Sequence, residues 1–128
     1  MGQQQLLLIV LGVIVVGIAV VVGINLFNAN AVSANRDGVV SDLNNLGAMA
    51  QQFYKKPISM CGGGNTFTGW ALPLELDSTA NGSYTAGFAV VPQQVTIQGY
   101  GTENAPDGNK IQHTATVTPT SISVAKTN

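Results

Sequence analysis

Residues 6–24 read LLLIVLGVIVVGIAVVVGI, a run of 19 residues without one charged side chain, and no charge appears before Arg36. That length matches the ~20 residues a helix needs to cross the hydrocarbon core of a bilayer. A strand of this length falls far outside the usual range of about 3–10 residues, and in lipid a lone segment satisfies its own backbone only as a helix. Gly12, Gly17 and Gly23 each weaken such a helix by about 1 kcal/mol relative to Ala, and mark places where it can bend or be approached closely. Ala19 and Gly23 form a small-xxx-small pair that permits close helix contact. A secretory signal peptide would carry a basic front, an apolar core of about 7–15 residues and a small-residue cleavage site. None of these is present, so the run is expected to be a retained helix.

Beyond Ile24 the pattern changes without a break. No proline occurs between Asn25 and Tyr54, and Val32, Val39, Leu43, Leu46, Ala50 and Phe53 recur at helical spacing. Arg36, Asp37, Asp42 and Gln51 fall mostly off this stripe. One continuous helix of roughly 50 residues, about 75 Å long, is predicted. It should stop near Lys56, because Pro57 disfavours helical geometry at the residue before it. Lys55 and Lys56 suit the negative end of the helix dipole.

A glycine-rich connection over 57–73 follows, with Phe67 and Trp70 expected to pin it to the core. Gly62-Gly63-Gly64 lacks the preceding strand and the following Gly-Lys-Ser/Thr of a phosphate-binding loop. From Gly82 onward the period becomes two, and SYTAGFAVV, QVTIQGYGT, KIQHTATVT and SISVAK read as four short strands. Turns are expected at Pro92-Gln93, at Asp107-Gly108 and at Pro119-Thr120. Strands so closely linked make an antiparallel meander with one face laid on a partner, and the amphipathic half of the helix is that partner. The predicted fold is α+β: a 1–56 helical region, apolar over 1–24 and amphipathic over 25–56, and a 57–128 β domain. The helix–sheet core is expected to contain Val39, Leu43, Leu46, Ala50, Phe53 and Trp70.

Composition narrows the function. The chain is 45% hydrophobic but only 9% charged, against about a quarter for ordinary soluble domains. Its net charge of −1 leaves no electrostatic footprint for nucleic acid. The single Cys61 excludes an internal disulfide and is expected to be a small buried residue. His113, among strand threonines, is expected at the surface, with no zinc-ligand spacing around it. No nucleophile–base set or paired acids are apparent, so neither an enzyme nor a cofactor or metal site is expected. Asn81-Gly82-Ser83 matches an N-glycosylation acceptor in a turn-like setting, where Asn81 is expected to be accessible.

Taken together, the polar front, apolar helix, amphipathic continuation, glycine-rich connection and small antiparallel sheet resemble the type IV pilins. Residues 1–54 carry the resemblance in sequence, with MGQQQLLLIVLGVIVVGI fitting the start of a processed subunit. It implies Met1, or alternatively Gln3, as the amine exposed when a prepilin peptidase removes a basic leader, with N-methylation to follow. It also implies helix packing through Leu6, Leu8, Val10, Leu11, Ile14, Ile18 and Val21. Where most bacterial pilins carry glutamate this chain has Gln5, an amide that can still accept a hydrogen bond from an ammonium group. Gln3 and Gln4 offer further acceptors. The proline common near the twenty-second position is Val22 here, leaving Gly17 as the favoured place for the helix to loosen. The two-cysteine loop closure of many pilins is absent.

The resemblance implies a homopolymer on the cell surface, serving adhesion or motility, whose subunits wait in the inner membrane for the pilus assembly machinery. Two alternatives share the same sequence features: a pseudopilin of a type II secretion machine, and a monomeric membrane-anchored binding module. Glu103 and Asp107 are the only acids after Asp77. That is too few for the six to eight oxygens of a calcium site in a pseudopilin.

Overall fold

The computed structural model describes residues 2–128, with the side chains of residues 87–89 outside that description. A single helix, α1, runs from Gln3 to Lys55 without interruption, passing through Gly12, Gly17 and Gly23. Its 53 residues span about 80 Å at 1.5 Å per residue. The helix ends where the sequence expects it to. Lys56 turns to an extended conformation ahead of Pro57, and its N–H still reaches the carbonyls of Gln52 and Phe53.

The connection folds back over this end of the helix. Short 3-10 turns form at Ile58–Met60 and Leu74–Leu76. The amides of Gly63, Gly64 and Asn65 donate to the carbonyls of Phe53, Lys56 and Tyr54, at 2.8, 2.9 and 2.8 Å, tying the connection to carbonyls at and just past the end of α1. Gly63 permits this approach, since a side chain there would collide with the Thr66 carbonyl. Phe67 is fully buried and stacks at a tilt on Tyr54, ring centres 4.8 Å apart.

Five strands follow: β1 Ser78–Thr79, β2 Gly82–Val91, β3 Gln94–Asn104, β4 Lys110–Val117 and β5 Ile122–Lys126. They form one antiparallel meander in chain order. The four longer strands lie where the period-two reading places them. The two-residue β1 is additional, paired to the start of β2 through Ser78↔Ser83 and Thr79↔Gly82. Cα pairing aligns Val95 with Val117 and Ile97 with Ala115, so the inward residues of β3 and β4 stand opposite one another.

Against this face lies the amphipathic half of α1, which contacts β3, β4 and β5. Val39, Leu43, Leu46 and Ala50 are buried against Val95, Ile97, Ala115 and Val117, with Tyr84, Phe67 and Trp70 closing the ends; Phe53 packs on this core partly buried. All six expected core positions therefore meet at the helix–sheet interface. The spacing of the stripe explains the fit, because residues three and four apart share one side of a helix and alternate residues share one face of a sheet.

Leu43 is wholly buried at the middle of this interface. Leu43→Ala in the full chain, held in detergent, is expected to lower head-domain stability by about 2–5 kcal/mol in denaturant unfolding. Ser41→Ala, at an exposed position of the same helix, is expected to stay within about 0.5 kcal/mol.

Candidate functional site

The feature left over once the head is packed is the first half of α1. Every large apolar side chain from Leu6 to Phe27 is more than half exposed, and among the described residues none buries any part of the apolar stretch. Seventeen such side chains stand free. At about 1.5–3 kcal/mol for burying each, the uncovered surface represents on the order of 25–50 kcal/mol, against the ~5–15 kcal/mol net stability of a typical domain. Water is the wrong surrounding for this segment. It is long and apolar enough to cross a membrane.

Leu6, Leu8, Val10, Leu11, Ile14, Ile18 and Val21, the expected packing residues, all lie on this free surface. At 3.6 residues per turn these seven span about 200° of the circumference, and other exposed residues of the run, among them Ile9, Val13, Val16 and Val20, cover the rest. Shallow grooves run beside Leu7, one with Leu8 and Leu11 and one with Leu6 and Val10, the spacing into which ridges of another helix fit. Gln3, Gln4 and Gln5 are exposed at the tip, and the first turn contains no acid. Their amides are thus the nearest side-chain polar groups to the positive end of the helix. Met1 lies outside the described residues.

The other end of the helix is fastened to the head by polar clamps flanking the apolar stripe. Asp42 is the most engaged. Its Oδ2 accepts from the Tyr84 hydroxyl at 2.6 Å, the Thr79 hydroxyl at 2.8 Å and the Asn81 amide at 3.1 Å. Burial pushes the Asp42 carboxyl up, but these three donors together outweigh it and hold the group below the usual carboxylate range. Burial and the same bond push the Tyr84 phenol well above its ordinary value. Asn35, buried in the helix, donates to the Asn81 carbonyl at 2.8 Å and accepts from the Glu103 N–H at 3.2 Å. Gln51 donates to the Thr118 carbonyl and Arg36 to the Asn128 carbonyl, at 3.0 and 2.8 Å.

Three expectations are corrected here. Asn81 is half-buried rather than accessible, and its amide nitrogen, the atom a sugar would join, is bonded to Asp42. Its side chain lies so close to Gly38 that a Cβ there would stand 2.6 Å from the Asn81 oxygen. Cys61 is exposed, because it ends a 3-10 turn in the left-handed conformation (φ 61°) that lifts it off the core. His113 is only 5% exposed, since it shares the inward face of β4 with Ile111, Ala115 and Val117. Neither ring nitrogen has a hydrogen-bond partner. Burial pushes its pKa down, the Arg36 and Lys126 cations act in the same direction, and the Ala125 backbone offsets them only in part, from outside hydrogen-bonding geometry.

Among the described residues, no three His, Cys, Asp or Glu side chains gather where they would hold a metal ion. No protein-family profile, curated protein or solved structure matches the chain. Its fold and its uncovered helix define it as a long-helix α+β protein with an apolar stalk.

The shifted groups predict two separate windows of acid sensitivity. A His whose folded pKa is depressed leaves the unfolded chain binding the extra proton first. Stability from His113 is therefore complete above the ordinary imidazole value of about 6.5 and declines as pH falls through the lower folded value. Asp42 stabilises above the ordinary carboxylate value of about 3.9, and that contribution is lost as pH falls through its lower folded value. Denaturant unfolding across pH is expected to show both steps. His113→Leu should remove the upper one and leave the lower. Asp42→Asn should lower stability by about 1.5–3 kcal/mol at neutral pH and shrink the lower step, to which Asp107, held low chiefly by the Asn109 N–H, also contributes.

Proposed function

We propose that the chain is the structural subunit of an extracellular filament of the type IV pilin kind. The helices of many copies pack in the core, and the β domains form the outer wall. The observation that carries this reading is the unbroken passage of α1 from a fully uncovered apolar half into a half that is clamped to the head. A rod joined without a hinge loop fixes the direction of its own head, which is what a regular helical assembly requires of each subunit. A simple anchor needs only a span, and would normally carry basic residues beside it at the membrane surface. On the side of the run that leads into the head, the nearest cation is Arg36, and it is engaged with the head.

Before assembly, the same segment holds the subunit in the inner membrane. Transfer from lipid to a helix bundle brings little hydrophobic gain, so close packing supplies much of the assembly energy. Gln3, Gln4 and Gln5 offer acceptors to the amines of neighbouring helix tips. The partners are other copies of the chain, a prepilin peptidase that exposes Met1 or Gln3, and the pilus assembly machinery.

Ile14→Arg tests this directly. A charge at the centre of the apolar half is expected to cost the helix bundle several kcal/mol and to reduce fibres in the sheared surface fraction by at least tenfold. Head-domain unfolding should be unchanged. Fibres of normal number and length from the Ile14→Arg chain would refute the reading.

A further inference from the structure

Only a short stretch of α1 separates the apolar run from the head, and part of the head hangs beside it. Phe27, 76% exposed, closes the run. One residue further on a groove of about 410 Å³ opens, with Asn28, Ala29 and Val32 of α1 on one wall and Asn104, Ala105 and Pro106 of the β3–β4 connection on the other. Residues 6–27 rise about 33 Å along the helix, which matches the ~30 Å hydrocarbon core of a bilayer. The headgroup layer adds about 5–7 Å on each side, and the helix rises about 6 Å from Asn28 to Val32. A helix seated with its apolar run in the core therefore carries the groove into the headgroup layer. No hinge can lift the head away, because α1 is unbroken and Asn35 and Arg36 already bond it to the head. The length of the apolar rod thus sets the height of the head above the lipid.

The chemistry at this base fits headgroups that are zwitterionic. Between Phe27 and Arg36 the helix has no charged side chain. Asn28 and Asn104, both exposed, line the groove, and their amide N–H groups suit the phosphate and ester oxygens of a lipid. Exposed Glu103, Asp107 and Lys110 flank the turn, two acids to one base, which suits the ammonium end of a zwitterion. Anionic lipid calls for clustered cations beside the membrane. The Arg36 guanidinium is spent on the Asn128 carbonyl, so the base has no such surplus.

We infer that, while α1 is held in a membrane, the β3–β4 turn and the groove beside it dock on the zwitterionic headgroup layer, seating the head on the bilayer surface. The contact rests on the membrane-held stage of the filament reading and deepens it. Extraction of a subunit into a fibre then strips the lipid from the base of the head as well as from the rod.

Depth-dependent quenching tests the seat. The full-length Cys61→Ser chain, reconstituted in phosphatidylcholine vesicles, is given a fluorophore on one added cysteine at a time, and the vesicles contain lipid with a nitroxide on the headgroup or at mid-chain. The Ile14→Cys probe is expected to lose its emission to the mid-chain nitroxide. The Pro106→Cys probe is expected to lose emission to the headgroup nitroxide within about twofold of the loss at Ser33→Cys, since both positions border the same layer about 5–7 Å thick. Ser123→Cys follows Ile122, which packs near Gly47, about 30 Å along α1 from Phe27, and is expected to keep its emission with either quencher. Asn104→Cys repeats the reading should Pro106→Cys fail to fold. Exchanging about half of the lipid for anionic phosphatidylglycerol is expected to leave the loss at Pro106 unchanged. Probes at Pro106 and Asn104 that behave like Ser123 while Ile14 is quenched overturn the seat alone. An Ile14 probe untouched by the mid-chain nitroxide overturns the membrane-held rod, and the seat with it. Quenching at Pro106 that appears only with the anionic lipid overturns the zwitterionic assignment.

Discussion

An apolar rod longer than its own head can cover is the constraint on which everything else in this protein depends. The head uses only one side of α1, from Asn35 to Ala50, and that side is saturated by the sheet. Among the described residues, none covers the large apolar side chains from Leu6 to Phe27. In the filament we propose, lipid and then other copies of the molecule supply the missing cover, and the rod's lack of charge suits both. The uncharged stretch is apolar around its full circumference, which suits a helix surrounded by neighbours on every side.

The polar residues near the stripe gain meaning from the same constraint. A helix with a single apolar seam can slide or rotate against a sheet at small cost, whereas Asn35, Asp42 and Gln51 each bond to a different part of the head. Asp42 joins β1 and β2 to the helix through three donors, and Gln51 holds the turn before β5. These bonds fix the rotation of the head about α1. In the filament we propose, that rotation sets which surface faces outward and which meets the next subunit.

Much of the architecture was legible in sequence because the residues that determine it are local. Pro57 marks the end of the helix, the 3-4 spacing of Val39 to Phe53 marks its buried side, and alternation marks the four longer strands. The short β1 carries no period of its own and exists through pairing with Ser83 and Gly82. The Asp42 cluster joins residues 37 to 42 positions apart, a distance no local pattern reports. The burial of His113 is legible in the period of β4, which groups it with Ile111 and Ala115 and puts its threonine neighbours on the other face. Cys61 depended on a left-handed backbone angle, and Asn81 on the close approach of Gly38, neither of which a turn motif reveals.

The central claim is that the apolar half of α1 has no cover within its own chain, and sedimentation of the purified full-length protein as detergent is withdrawn tests it most directly. The account predicts loss of the monomer and its replacement by large, fast-sedimenting assemblies. A stable, dispersed monomer in detergent-free buffer would contradict it, since the rod would then have to be folded away inside the molecule.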